Sequence, residues 1–215
     1  MLISVHVPKT AGTAFRAQLQ RHFGDRLYLD YADRPLAPGH LWRRLAHPTP
    51  TAAHLAGFAC VHGHFVADKY DRLGARARLV TWLRDPVQRV ASHYHYWKRV
   101  PDPRNPDCRR LLREDLDIEA FAALPRMRDV ATRFLGGYRP ADFFFLGLVE
   151  EMAESQRRLY RLTGIEWVDE AGNRNDEATG GYELSAAARA RIAALNANDA
   201  RLYDEARALF ERCRS

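Results

Sequence analysis

Residues 6–15 contain the side chains and the glycine expected of a phosphate-binding loop. The segment reads His-Val-Pro-Lys-Thr-Ala-Gly-Thr-Ala-Phe and follows an apolar stretch at the N-terminus. A strand that passes through such a loop into a helix near Gly12 directs several backbone N–H groups and a helix N-terminus towards one point, which favours a bound anion. Lys9 adds a positive charge, and Thr10 and Thr13 add hydroxyl donors. The spacing therefore predicts a phosphate site at the start of this helix.

The same loop differs from the nucleotide-binding loop of ATPases. The pattern Gly-x-x-x-x-Gly-Lys-Ser/Thr is absent, so the magnesium-dependent chemistry of that loop does not carry over. The alternative to a phosphate site is a capped helix that carries a surface lysine. The run Pro-Lys-Thr-x-Gly-Thr directly after an N-terminal strand favours the phosphate site.

A second polar cluster follows the apolar segment Arg78–Leu83, which is typical of a buried strand. Arg84 leaves the carboxyl end of that strand, and Pro86 suits the first turn of the next helix. Ser92 lies about two helical turns further on, so Arg84 and Ser92 can contact one phosphate group. The alternative is a local salt bridge between Arg84 and Asp85 at the helix start, with no ligand.

Two histidines, His62 and His64, stand on either side of Gly63 just past a third apolar segment. They can serve as metal ligands, catalytic bases or hydrogen-bonded loop residues, and the lack of a third ligand nearby argues against a metal. Ligands of open parallel sheets bind beyond the carboxyl ends of the strands. Because all three clusters fall at such ends, we expect them to meet, which favours a catalytic role for the histidines.

Short apolar segments alternate with helical ones along the chain, which predicts β–α–β units and an α/β fold whose parallel sheet has helices on both faces. A C-terminal helical region follows, with Ser185 as its N-cap. The predicted strands are Leu2–Val7, Leu27–Tyr31, Gly57–Val61, Arg78–Leu83 and Phe143–Val149, and the predicted helices are Gly12–His22, Val87–Lys98 and Glu150–Leu162.

The composition favours one globular domain over residues 1–215. The chain has 47% hydrophobic and 28% charged residues, and no apolar run is long enough for a membrane span. The first residues lack the positively charged region of a signal peptide, so we expect none, and three cysteines without metal-site spacing suggest neither a disulfide framework nor a zinc site. We therefore expect a soluble protein of the reducing cytoplasm.

A formal charge of +6 makes anionic ligands plausible partners. The arginines are scattered among acidic residues and no nucleic-acid-binding motif is present, so we expect no nucleic-acid partner. The densest basic stretch, Arg99–Arg113, is broken by prolines. It is either a solvated surface or the rim of a site for an anionic substrate.

The first two motifs together resemble the sulfotransferases that use 3′-phosphoadenosine 5′-phosphosulfate (PAPS). The likeness is to the carbohydrate branch that includes the heparan sulfate 2-O-sulfotransferases, and it implies a three-layer, P-loop-like fold with a central parallel sheet. It implies that Arg84 and Ser92 bind the 3′-phosphate. The residues that it assigns to the 5′-phosphosulfate are Lys9, Thr10, Ala11, Gly12, Thr13 and Ala14.

The turn around Gly63 is similar to the segment of that family that carries a catalytic histidine. Residues 147–150 and 196–203 are also similar to segments of that family. Arg174 in a late loop is either a phosphate contact or part of a solvated turn. The chain is shorter than the Golgi enzymes and lacks their membrane anchor. These departures from the family pattern lead us to expect a soluble, bacterial-type enzyme and argue against a long polysaccharide substrate.

The resemblance implies sulfuryl transfer from PAPS to a hydroxyl of a saccharide or small molecule, without a metal. We expect His64 to act as the base, with His62 as second choice, and Lys9 to stabilise the leaving phosphate. His93 and His95 are further bases in principle. Tyr94, Tyr96 and Trp97 either stack on the acceptor or pack in the core. The competing functions are an ATP-dependent kinase and a non-catalytic nucleotide- or glycan-binding module.

Overall fold

A five-stranded parallel sheet forms the centre of the fold in the computed structural model, which describes residues 1–36, 40–168 and 181–213. Its strands lie in the order β2-β3-β1-β4-β5, and every neighbouring pair is parallel. The strands are β1 (Leu2–Val5), β2 (Leu27–Asp30), β3 (Cys60–Gly63), β4 (Arg78–Leu83) and β5 (Phe145–Leu148).

Helices connect these strands and cover both faces of the sheet, so the predicted α/β class with a central parallel sheet is confirmed. No helix within the described residues is long and apolar enough to cross a membrane. The helices are α1 (Gly12–Phe23), α2 (His40–Ala46), α3 (Pro86–Arg99), α4 (Pro106–Arg113), α5 (Ile118–Ala123), α6 (Val130–Leu135), α7 (Met152–Thr163), α8 (Ala186–Leu195) and α9 (Ala197–Arg212). Short 3₁₀ segments span Gly24–Arg26, Ala67–Arg76, Pro125–Met127, Pro140–Asp142 and Val149–Glu151.

The core lies on the two faces of the sheet, because successive strand residues point to opposite sides. Ile3 and Val5 of β1 pack with α6 and α9 on one face, and Val80 and Trp82 of β4 pack with α1 and α7 on the other. A separate apolar cluster joins α3, α5 and α8 around Phe121. This third cluster holds α3 beside the sheet, with its first turn at the carboxyl edge.

Strand β3 lies further along the chain than the sequence predicts. Residues 52–57 form turns, and the strand runs from Cys60 to Gly63. His62 therefore lies inside the strand, opposite Ser4 of β1, and not in the turn beyond it. The apolar residues before Cys60 belong to the turn, because Phe58 donates its N–H to the carbonyl of Leu55.

The strand order reverses between β1 and β4, which is where open parallel sheets bind their ligands. From β1 the chain turns to β2 on one side, and from β4 it continues to β5 on the other. The loop that contains Lys9 follows β1, and Arg84 follows β4. The two predicted phosphate sites therefore face each other across this crevice.

Candidate active site

The loop between β1 and α1 leaves the N-terminus of α1 open to a ligand. Lys9 and Ala11 have left-handed backbone conformations, with φ of 70° and 63°. Left-handed residues on both sides of Thr10 turn N–H groups towards one side, as in anion-binding nests. Within the described residues no side chain caps α1, and its first turn holds no acidic residue. The N–H groups at this helix end can therefore bind an anion.

The backbone of this loop is strained at both left-handed positions. Each non-glycine residue in this conformation costs roughly 1–2 kcal/mol, and such strain is concentrated at functional sites. Gly12 is required for a different reason, because a Cβ at this position would lie 1.9 Å from the ring of His6. The His6 ring and the start of α1 therefore fit together only with glycine at position 12.

The remaining predicted loop residues differ in what they can offer a ligand. The Thr10 hydroxyl donates to the carbonyl of Val7 at 2.8 Å and is buried, so it holds the loop together and leaves the backbone N–H of Thr10 for an anion. Thr13 is exposed, and Ala14 is partly buried in the first turn of α1. Of the two threonine hydroxyls, only that of Thr13 remains open to a ligand.

Lys9 lies between the loop and α3. Its ammonium is 3.6 Å from the centroid of the Tyr96 ring. Burial lowers the pKa of Lys9 to about 8, with smaller contributions from the positive charges of Arg84 and Arg99. Lys9 and Arg84 therefore lie close enough for their charges to interact.

Arg84 extends from the end of β4 and has a largely buried side chain. Its Nε lies 3.9 Å from a carboxylate oxygen of Glu150 and, among the described residues, lacks a hydrogen-bond partner. Asp85 instead accepts the N–H of Gln88 at 2.9 Å and caps α3. Arg84 therefore forms its salt bridge with Glu150 and not with Asp85. Within the described residues, its Nε–H remains free to donate a hydrogen bond to a ligand. Ser92 is buried two turns into the same helix.

Glu150 connects the second polar cluster to the C-terminal helices. It accepts the N–H of Asp85 at 3.0 Å and the hydroxyl of Tyr203 at 2.6 Å. Sequence reasoning gave these residues no role, although both lie in the late segments that carry the family resemblance. The two motifs contain these residues, but only the fold shows that Glu150 and Tyr203 support the turn at Arg84.

His62 is fully buried in β3. Its Nδ1 hydrogen-bonds with the Ser4 hydroxyl at 2.8 Å, and within the described chain its Nε2 has no partner. Burial lowers the pKa of His62 to about 3, with smaller contributions from His64 and Arg16. The ring is therefore neutral at neutral pH and is held inside the sheet.

His64 lies just past β3 and is partly exposed. Its Nδ1 lies 2.7 Å from the carbonyl of His6. Because a carbonyl only accepts, Nδ1 carries the proton and Nε2 keeps its lone pair in the neutral ring. Burial lowers the pKa of His64 to about 4, so this neutral tautomer is the form present at neutral pH. Nε2 can therefore accept a proton from a substrate.

A stack of three imidazole rings joins the loop to the histidine turn. The His6 ring lies 4.2 Å from that of His64 and 5.0 Å from that of His62, centroid to centroid. The hydroxyl of Tyr31, just beyond β2, lies 3.1 Å from the His6 Nδ1. His6 and Tyr31 were not predicted as site residues. Among the described residues, no group of three His, Cys, Asp or Glu side chains is arranged to hold a metal.

The histidines and aromatic residues of α3 separate into different environments. His93 is buried and packs on Trp97, whereas His95 stacks on Tyr182 at 4.7 Å. Burial lowers the pKa of His93, and nearby Arg89, Lys9 and His64 lower it further. Trp97 belongs to the core, as one of the two alternatives predicts, but Tyr96 is 37% exposed.

Two further predicted features lie away from the crevice or outside the described residues. Arg110 and Arg113 are exposed and pair with Glu114, as expected of a solvated surface. Arg99, at the start of the same basic stretch, lies near Lys9. Arg174 lies outside the described residues.

Comparison with known proteins gives a shared fold. No protein-family model matches the sequence, and no curated protein sequence matches it. A solved sulfotransferase from Alicyclobacillus acidocaldarius has 16% sequence identity and a TM-score of 0.52, and the match covers 96% of this chain and 95% of that one. Mouse sulfotransferase SULT7A1, solved with PAP, has 14% identity and a TM-score of 0.41 over 90% of this chain and 62% of its own, which is too low to support an argument.

Proposed function

We propose that this protein is a PAPS-dependent sulfotransferase. The observation that carries the proposal is the pairing of an uncapped helix N-terminus and Lys9 with Arg84 across the reversal point of the sheet. One such site binds one phosphate, whereas two adjacent sites suit a nucleotide with two separated phosphate groups. The fold shared with a bacterial sulfotransferase is consistent with this function.

The residues around the crevice fit the two charged ends of the donor. Arg84 has a buried Nε without a hydrogen-bond partner in the described chain, which a 3′-phosphate would supply, and Ser92 is the second contact there. The first turn of α1 would hold the 5′-phosphosulfate. The contacts assigned to that group are Lys9 and Thr13 with the backbone of Thr10, Ala11, Gly12 and Ala14.

His64 is the residue best suited to act as the general base. As the acceptor oxygen bonds to sulfur, Nε2 of His64 takes the hydroxyl proton and the bond between sulfur and the phosphate oxygen breaks. The electron pair of that bond leaves with adenosine 3′,5′-bisphosphate (PAP). Lys9 and the loop N–H groups stabilise the charge that develops on the leaving oxygen, so no metal is assigned a step.

His62 is a weaker candidate for the base. Its side chain is fully buried, and its Nδ1 is engaged with Ser4. A base must come within hydrogen-bond distance of the proton that it removes. The acceptor itself is proposed to be a hydroxyl of a carbohydrate or small glycoconjugate, as the resemblance to the carbohydrate branch implies.

A thermal-unfolding series with PAP, AMP and ATP, each with and without magnesium, tests the function. A ligand at 100 times its dissociation constant stabilises the folded state by about 2.7 kcal/mol, which raises the midpoint by roughly 5–10 °C for a chain of this size. We expect that rise with PAP, independent of magnesium. A rise only with ATP and magnesium would identify a kinase. PAP binding without transfer to any hydroxyl acceptor would identify a binding module.

A further inference from the structure

The Lys9 ammonium rests on an aromatic ring where a carboxylate would be the usual partner. Its Nζ lies 3.6 Å from the centroid of the Tyr96 ring, which is four residues beyond Ser92 on α3. No carboxylate in the described part of the chain pairs with Lys9. An ammonium in this position is attracted to the negative face of the ring.

The other groups around Lys9 do not stabilise its charge. Arg84 follows β4 and Arg99 lies on α3, and both are positive. His6, in the same loop, and His93, on α3, are neutral because burial lowers their pKa values. The Tyr96 ring is therefore the favourable partner of the ammonium among the described residues.

We propose that the Tyr96 ring is the resting partner of Lys9 and that the ammonium leaves the ring when a phosphate or phosphosulfate anion binds in the loop. The inference rests on the proposed function only in naming that anion. A carboxylate at position 96 would also hold Lys9, but it would repel the ligand and would compete with it for the ammonium. The ring holds the charge less strongly than a phosphate does, so it does not prevent the transfer.

The contact between Lys9 and Tyr96 is easy to observe by NMR, because the chain has only three lysines among its 33 Lys and Arg residues. Lys69 is buried between the carboxylates of Asp30 and Asp33. Lys98 is on the surface and lies 5.1 Å from the centroid of the Tyr94 ring. Protein labelled with ¹³C and ¹⁵N in lysine alone should therefore give three resolvable side-chain signals, two of which are internal references.

The contact predicts a specific NMR signature in the ligand-free protein. The Lys9 methylene protons next to Nζ should lie upfield of those of Lys98, because the ring current of Tyr96 acts on them at closer range. Tyr96→Leu should remove this upfield position, and Tyr96→Phe should keep it. Tyr94→Leu is the matched control on the same helix and should change the Lys98 signal only.

The protonation of Lys9 gives a second measurement. A ring face favours the charged amine, so Tyr96→Leu should lower the pKa of Lys9 below its value of about 8, and Tyr96→Phe should not. Phosphate binding needs the ammonium and is lost as pH rises through this pKa. In Tyr96→Leu the loss should therefore begin at lower pH, a shift that a purely structural role of Tyr96 would not produce.

Titration with PAP, and separately with inorganic phosphate, tests the release of Lys9. We expect the upfield position of its protons to disappear as either anion saturates the loop. A normal Lys9 position without ligand, or an upfield position that persists at saturation, would overturn the inference. Release by inorganic phosphate without any effect of PAP would instead contradict the proposed donor and leave the role of Tyr96 supported.

Discussion

The N-termini of α1 and α3 face the same crevice but are built in opposite ways. Helix α1 starts after a left-handed Ala11 and, within the described residues, has no capping side chain. Helix α3 starts at Pro86 and is capped by Asp85, whose carboxylate accepts the N–H of Gln88 at 2.9 Å. Both helices follow central strands that lie side by side in the sheet.

The difference shows how two neighbouring helix ends can serve one ligand in different ways. An uncapped N-terminus keeps its partial positive charge and its free N–H groups, so the backbone of α1 can bind an anion. The Asp85 carboxylate neutralises the end of α3, which can then contribute only side chains, namely Arg84 before the cap and Ser92 beyond it. Neither helix end supplies a base.

The largest effect is expected from His64→Ala, which should lower turnover and leave ligand binding at the two helix ends unchanged. Loss of a general base should lower turnover by about 10²–10⁴-fold, while PAP affinity stays close to that of the wild type. Turnover would be measured with the best hydroxyl acceptor from a screen, and affinity by calorimetry. His47→Ala, at an exposed position, is the control. Turnover of His64→Ala at the wild-type rate would exclude this histidine as the base.

Ala11→Asp should give the α1 end the negative charge that α3 has at Asp85. A carboxylate about 4–5 Å from a bound phosphate, at an effective dielectric constant near 20, costs roughly 3–4 kcal/mol. We therefore expect at least about a 10²-fold loss of PAP affinity by calorimetry. Ala11→Asn, which also tolerates the left-handed conformation, is the neutral control. Equal affinities for the Asp and Asn variants would mean that no anion binds at this helix end.

Arg84→Ala should remove the contribution of the α3 side and leave the contacts at the N-terminus of α1 in place. Hydrogen bonds to charged groups contribute about 1.5–3 kcal/mol, so PAP affinity should fall by roughly 10–100-fold. AMP lacks the 3′-phosphate and should lose much less. Arg110→Ala is the control, at an exposed arginine of α4. Equal losses for PAP and AMP would contradict the assignment of Arg84 to the 3′-phosphate.

The sequence predicts the features that depend on local pattern. Strand and helix alternation gave the α/β class, and the start of α1 at Gly12 agrees with the structure. Ser185 caps α8 by accepting the N–H of Ala188, as its position before a helical run indicates. The meeting of the Lys9 and Arg84 loops follows from the rule that parallel strands share a carboxyl edge.

Other features depend on contacts between segments far apart in the chain, which local pattern cannot give. His62 belongs to β3 because that strand pairs in register with β1, 58 residues away. Glu150 reaches Arg84 and Tyr203 only through the folded sheet. The contact between Lys9 and Tyr96 similarly joins a loop to the second half of a helix whose aromatic residues also fit a core interpretation.

The smallest effect is expected from Asp85→Ala, which should make α3 resemble α1. Loss of the cap should cost about 1 kcal/mol in the free energy of unfolding, or a lowering of the midpoint by about 2–4 °C. PAP affinity should stay the same or increase, because a negative charge next to the Arg84 site is removed.

Asn105 caps α4, because its side-chain oxygen accepts the backbone N–H groups of Asp107 and Cys108. Asn105→Ala removes this cap and is the matched control for stability. Both variants should lose similar stability in chemical denaturation, and neither should lose PAP affinity. A tenfold loss of PAP affinity in Asp85→Ala would show that the cap orients Arg84, since removal of a nearby negative charge cannot itself weaken anion binding. Asp85 would then contribute to the site by positioning Arg84, in addition to capping α3.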